Sequence, residues 1–203
     1  LDNLRAALAF VRDRNPEQYV TVVGALAYFW WGRSHIIEGR EHVRHALSQV
    51  SPEPVRPSYA RALRGEAVLA SYSGDTAKSI DVMQRVLAMW REIGDRVEVG
   101  TSLAMLGMAQ FMNREDEAAH DTCTELLDVA VKVGNPVFIN QAKVMLGQML
   151  VAVSRLDEAR SLAHEIIEYS RKAGDKRAEH SGHHYLADCA LMEGDWRTSI
   201  GLY

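Results

Sequence analysis

Apolar residues recur along this chain at the spacing of a helix that buries one face. Leu103, Leu106, Gly107 and Gln110 fall at i, i+3, i+4 and i+7, three apolar positions to one polar. No stretch alternates apolar and polar residues as a half-buried strand would. The pattern also repeats on a larger scale: Gly94, Gly134 and Gly174, in "REIGDR", "VKVGNP" and "RKAGDK", stand forty residues apart, and Gly74-Asp75 returns as Gly194-Asp195 three such steps later. Two series of small residues keep the same step. One is Ala27, Ala67, Gly107, Gly147 and Ala187; the other is Gly39, Ser79, Ala119, Ala159 and Ser199. Self-similarity at a fixed period of this size is the signature of a repeat array.

Each period predicts a helical hairpin. A first helix of about 15 residues runs to a Gly-Asp, Ser-His, Arg-Glu or Arg-Leu turn, and a second of about 18 ends at Gly-Asp or Gly-Asn, where glycine suits a left-handed cap. Pro136 and the "SPEPVRP" of residues 51–57 stand where helices open, a place where proline costs no helix bond. One small residue per helix lets the two helices of a hairpin approach to about 8 Å. The register gives repeats at 17–56, 57–96, 97–136 and 137–176 and a partial one at 177–203, preceded by a second helix at 1–15, all in one domain. The predicted fold class is all-α, a right-handed superhelix of antiparallel helical hairpins. The closing "GDWRTSIGLY" reads as the first turns of a further second helix. With Leu1 in place of a start methionine, the chain is expected to be a piece of a longer protein.

Composition narrows the function classes. With 47% apolar and 25% charged residues, the 203-residue chain can bury a sizeable core. Its 23 Lys+Arg against 27 Asp+Glu leave a net charge of −4, without the basic footprint of a nucleic-acid binder. No apolar run approaches the ~18 residues of a membrane span, and no secretory leader is expected. Cys123 and Cys189 lack metal-site spacing and are too few for a disulfide framework, which suits a reducing cytoplasm. There is no phosphate loop, dinucleotide fingerprint, H-E-x-x-H or G-x-S-x-G. The expectation is a non-enzyme without cofactor, with any ATPase or DNA-binding activity outside these residues.

"LGMAQFMNREDEAA", "LGQMLVAVSRLDEAR" and "LADCALMEGDWRTS" resemble tetratricopeptide repeats, with a Leu-Gly/Ala pair in the first helix and a small residue twelve positions on. The resemblance covers the whole chain, although the usual repeat has 34 residues and the longer step overlaps the range of HEAT-type repeats. The opening "LDNLRAALAFV", followed by "LAYFWWGRSHIIEGREHVRHAL", resembles the segment after the nucleotide-binding and winged-helix parts of large bacterial signalling ATPases, the LuxR-type and adenylate-cyclase-linked regulators. That resemblance implies an arm that senses a small ligand or a protein partner, works with other domains of the same chain, and releases an autoinhibited output. A scaffold or adaptor fragment and the regulatory arm of a nucleotide cyclase are the alternative readings.

Tetratricopeptide arrays line their concave side with first helices. Carried over by the register, this implies a groove for a protein, peptide or small ligand along Tyr28, Trp31, Arg61, Arg64, Met105, Met108, Phe111, Met112, Met145, Gln148, His184 and Tyr185. Methionines at helical spacing are more often core, but the Leu-Gly/Ala face already supplies a core stripe. Flexible thioethers suit an adaptable groove. Arg61 and Arg64, one turn apart, are candidates to hold an acidic end of the ligand. The carboxylate-clamp variety is disfavoured, since Tyr28, Val68, Met108, Gln148 and Asp188 stand where that clamp uses Asn. His180 and His184 share a helix face near His183 and Asp188, but third and fourth metal ligands cannot be identified, so the cluster reads as a metal-free surface. Glu66 takes the core place held by Leu26, Leu106, Leu146 and Leu186. A lone buried carboxylate is costly, so an Arg or hydroxyl partners it or the second repeat is locally rotated, with a functional acid as the remaining option.

Overall fold

A computed structural model describes residues 2–202, and among them every regular element is an α-helix. First helices are α2 (Pro16–Gly32), α4 (Pro57–Tyr72), α6 (Arg96–Met112), α8 (Pro136–Ala152) and α10 (Lys176–Met192). Second helices are α1 (Asp2–Arg12), α3 (Ile36–Ser48), α5 (Thr76–Ile93), α7 (Asp116–Val133), α9 (Leu156–Ala173) and α11 (Trp196–Leu202). The hairpins therefore fall in the register of the forty-residue step. No helix among the described residues is long and apolar enough to cross a membrane.

Local chemistry sets the boundaries. Asn15, Asp95, Asn135 and Asp175 open first helices by accepting hydrogen bonds from the amides of Gln18, Glu98, Phe138 and Ala178, which satisfies donors that a helix start leaves unpaired. Second helices α5, α7 and α9 stop at Gly94, Gly134 and Gly174, with φ of 83°, 75° and 73°. The turn inside each hairpin is left-handed too. It uses Gly74 and Gly194 but also Ser34, Arg114 and Ser154, at φ 59°, 64° and 60°.

The chain forms two compact units, Leu1–Ser102 and Leu103–Tyr203, with the division inside α6. In the first, α2 packs on α3 and α4, and α4 on α5, around Tyr19, Val23, Trp30, Val43 and Leu69. The buried Tyr19 hydroxyl meets His42 Nδ1 at 2.6 Å, and the His42 ring stacks on Trp30 at 5.3 Å. Burial holds the His42 pKa below its usual value. Glu66, only 3% exposed, is met by three cations: Lys78 Nζ at 2.9 Å, Arg40 Nη2 at 3.4 Å and Arg44 Nε at 4.0 Å.

In the second unit, α8 packs on α7, α9 and α10, around Cys123, Leu146, Met149, Ile166 and Tyr185. The small-residue series lies inside, and its two glycines have different neighbours. A Cβ on Gly107 would stand 2.8 Å from Cys123 Sγ, in the same hairpin. On Gly147 it would stand 2.9 Å from the ring of Tyr185, in the next repeat, so this glycine admits a side chain from the following hairpin.

Candidate functional site

The expected groove residues divide between the units. In Leu1–Ser102, Tyr28 and Trp31 are exposed on α2, with ring centroids 6.5 Å apart, and Trp31 lies against Tyr72 of α4 at 4.9 Å. Arg61 and Arg64 correct the expectation of two cations awaiting an acidic ligand, because Glu98 of α6 already holds both. Arg61 Nε donates to Oε1 at 3.3 Å and Arg64 Nη1 to Oε2 at 2.5 Å, while the Arg61 guanidinium also sits 5.6 Å from the ring of Trp90. Glu98 was missed because an ion pair between neighbouring helices leaves no mark in local spacing.

In Leu103–Tyr203, Met105, Phe111, Met145 and Gln148 are half-buried, and Phe111 and Met145 also pack against the core. Met108 and Met112 are 37% and 55% exposed. Two adjoining cavities share the walls Gln148, Ser181 and Tyr185. One, of about 580 Å³, is mainly apolar, with Met108, Phe138 and Met145 in its walls; the other, of about 420 Å³, adds Phe111, Arg114, Asp116, His180, His184 and Asp188. Met105 and Met112 are not among these walls. Tyr185 corrects the expectation of an accessible groove anchor: it is buried, and its hydroxyl donates to the Val144 carbonyl at 2.8 Å. Only its ring is offered to a ligand.

The histidines separate by their contacts. His180 and His184 stack with centroids 6.4 Å apart, and His184 Nε2 lies 3.5 Å from Asp188 Oδ2. His183 Nε2 meets Arg171 Nη2 at 3.2 Å. Among the described residues no group of three or more His, Cys, Asp or Glu is arranged to hold a metal. Both cysteines are free and buried; burial pushes the Cys123 thiol up to about 12 and raises that of Cys189, so both stay protonated and poorly nucleophilic at neutral pH.

No family model matches the chain. Relatives in Mycobacterium bovis and Mycobacterium tuberculosis that carry the provisional name of HTH-type transcriptional regulator are 29% identical over 128 residues, 59% of this chain. The match spans only 14% of their length. Among solved structures, nearly identical TPR-like repeats assigned to a kinesin light chain of Podosopora anserina superpose with a TM-score of 0.77 at 15% identity, over 93% of this chain and 92% of that one. The apo form of RapI gives 0.77 at 12% identity, over 98% and 86%. A signal transduction ATPase with numerous domains and a tetratricopeptide repeat sensor, from Pyrococcus horikoshii, gives 0.74 at 17% identity, over 91% of this chain and 29% of that one. These likenesses show the fold: a tetratricopeptide-like solenoid of helical hairpins.

Proposed function

We propose that this segment is the non-catalytic sensing and partner-binding arm of a larger bacterial transcriptional regulator acting in the cytoplasm, and that its first helices receive an apolar peptide or helix. The observation that carries the reading is the second apolar face on Leu103–Tyr203. Leu103, Leu106, Leu146 and Leu150 are buried in the core, while Met108 and Met112 are left exposed and Met108 and Met145 wall a mainly apolar cavity that also has Asp175 and Arg177 in its walls. Exposed apolar area of this kind commonly marks a binding surface, and thioethers repack around different partners. The regulator context draws on the names of the mycobacterial relatives and on the likeness to the Pyrococcus ATPase sensor. The narrower LuxR-type or cyclase-linked assignment rests on the resemblance of "LDNLRAALAFV" and the following "LAYFWWGRSHIIEGREHVRHAL".

Selecting a displayed peptide library against residues 1–203 tests the site. Enriched peptides should carry apolar residues at i, i+3 and i+4, and the double variant Met108→Ala, Met112→Ala should bind them about 1–3 kcal/mol more weakly, as expected for truncated interface anchors. Its melting temperature should stay near that of the parent. A sharply lowered melting temperature with unchanged affinity would place these methionines in the core and end the assignment.

A further inference from the structure

We infer that Tyr19 and Trp30 of α2 and His42 of α3 form an acid-sensitive latch that holds α3 on α2. Tyr19 is buried, and among the described residues its hydroxyl has one hydrogen-bond partner, His42 Nδ1 at 2.6 Å. Burial pushes the phenol above its usual pKa, so at neutral pH the hydroxyl carries a proton that it must donate. That fixes the imidazole: Nδ1 accepts, and the ring proton sits on Nε2. The half-buried ring also stacks on the buried Trp30, with centroids 5.3 Å apart and planes 12° from parallel. Protonation makes Nδ1 a donor. The Tyr19 oxygen can then accept only by turning its own proton away from its one partner, and a buried donor left unpaired is costly.

The charges around His42 do not remove this conflict. On α3 itself, Glu38 and Glu41 favour a proton on the ring and His45 opposes it; Arg12, at the end of α1, opposes it too. Glu38 is already engaged by Arg5 of α1 in two hydrogen bonds, both of 2.9 Å, with His35 Nδ1 at 3.9 Å. Asp13, in the turn after α1, pairs with Arg12 at 2.9 Å. On α2 the group in contact is Tyr19, and Glu17 is held by Arg56. Helix α4 also packs on α3, but its charged side chains are held: Glu66 by Arg40, Arg44 and Lys78, and Arg61 and Arg64 by Glu98. The face of Trp30 attracts a cation, yet burial outweighs these attractions and holds the His42 pKa down. A histidine whose pKa is lower folded than unfolded stabilises fully above the ordinary value of about 6.5, and that contribution is lost as pH falls from there through the folded pKa. Acid therefore loosens α3 from α2.

The latch lies in Leu1–Ser102 and does not depend on the methionine face. The test is NMR of residues 1–203. At about pH 7.5, long-range proton–nitrogen correlation should show His42 with its proton on Nε2 and Nδ1 bare. Titration should place the His42 pKa below about 6.5, and Tyr19→Phe, which removes the donor that favours the neutral ring, should raise it. Amide exchange, corrected for the intrinsic rate, should show the protection of α3 falling between about pH 6.5 and pH 5, by at most about tenfold per pH unit, the limit for one extra proton taken up on opening. His42→Asn puts an amide oxygen near the place of Nδ1 but cannot titrate, so protection of its α3 should lose that pH dependence. A neutral ring with its proton on Nδ1, a His42 pKa at or above about 6.5, or α3 protection that acid leaves unchanged in the parent would each overturn the latch. An undiminished pH dependence in His42→Asn would do so as well. The three measurements on the parent decide if a variant does not fold.

Discussion

Tyr185 shows what a residue-level reading of the sequence can and cannot reach. Its place beside His184 on a first helix suggests the groove, but nothing local says that Gly147, one repeat earlier, leaves a slot into which the ring fits. The hydroxyl then finds Val144, and burial pushes the phenol up to about 12. An unfolded tyrosine ionises near pH ~10, so the folded state holds its proton to higher pH. The stabilisation is complete below about pH 10 and is lost as pH rises towards about 12. Chemical denaturation across that window, with tyrosinate absorbance followed in parallel, should show stability falling more steeply for the parent than for Tyr185→Phe. Equal slopes would mean that another group carries the alkaline loss. At neutral pH the Phe variant should lose about 0.5–1.5 kcal/mol, the net worth of the hydrogen bond.

At the scale of elements, hairpin boundaries were legible because backbone geometry restricts residue choice: Gly94, Gly134 and Gly174 mark left-handed positions that other residues occupy at a cost. Ser34, Arg114 and Ser154 adopt the same conformation without glycine, and only the constant step locates them. Glu66 was legible as an exception to the leucine series, but its partners were not, since Arg40 and Arg44 come from α3 and Lys78 from α5. This carboxylate joins three consecutive helices. Glu66→Leu would restore the apolar pattern but leave Arg40, whose side chain is 16% exposed, with only the Ser73 hydroxyl at 2.7 Å and Asp75 at 3.7 Å; Arg44 and Lys78, at 58% and 41%, can turn to water. The substitution should therefore destabilise by about 0.5–1.5 kcal/mol in urea unfolding, the net worth of the interaction lost from a guanidinium that keeps its other partners. A gain in stability would show that leucine packing outweighs the ion cluster.

For the molecule as a whole, the fold was far more legible than the site. A fold of stacked hairpins is written in positions that must be small or apolar, and those recur. The positions proposed for a binding face are free to differ between repeats: Tyr28, Met108 and Gln148 share one register place with the buried Val68 and with Asp188, and the five side chains are all different. Packing between neighbouring hairpins also makes stability close to a sum of local terms. Ending the chain at Gly134 keeps α1–α7 and should preserve a helical circular dichroism signal per residue near that of the full chain. Collapse of all helicity would contradict a nearest-neighbour architecture. The unbroken step between left-handed turns, from Ser34 through Arg114 to Gly194, bears on inheritance as well. Recombination that adds or removes one whole period gives every later turn the surroundings it had before, whereas any other length turns all later faces away from their neighbours. Arrays of this kind can therefore lengthen or shorten in a single genetic event while each surviving hairpin keeps its own side chains for a new ligand.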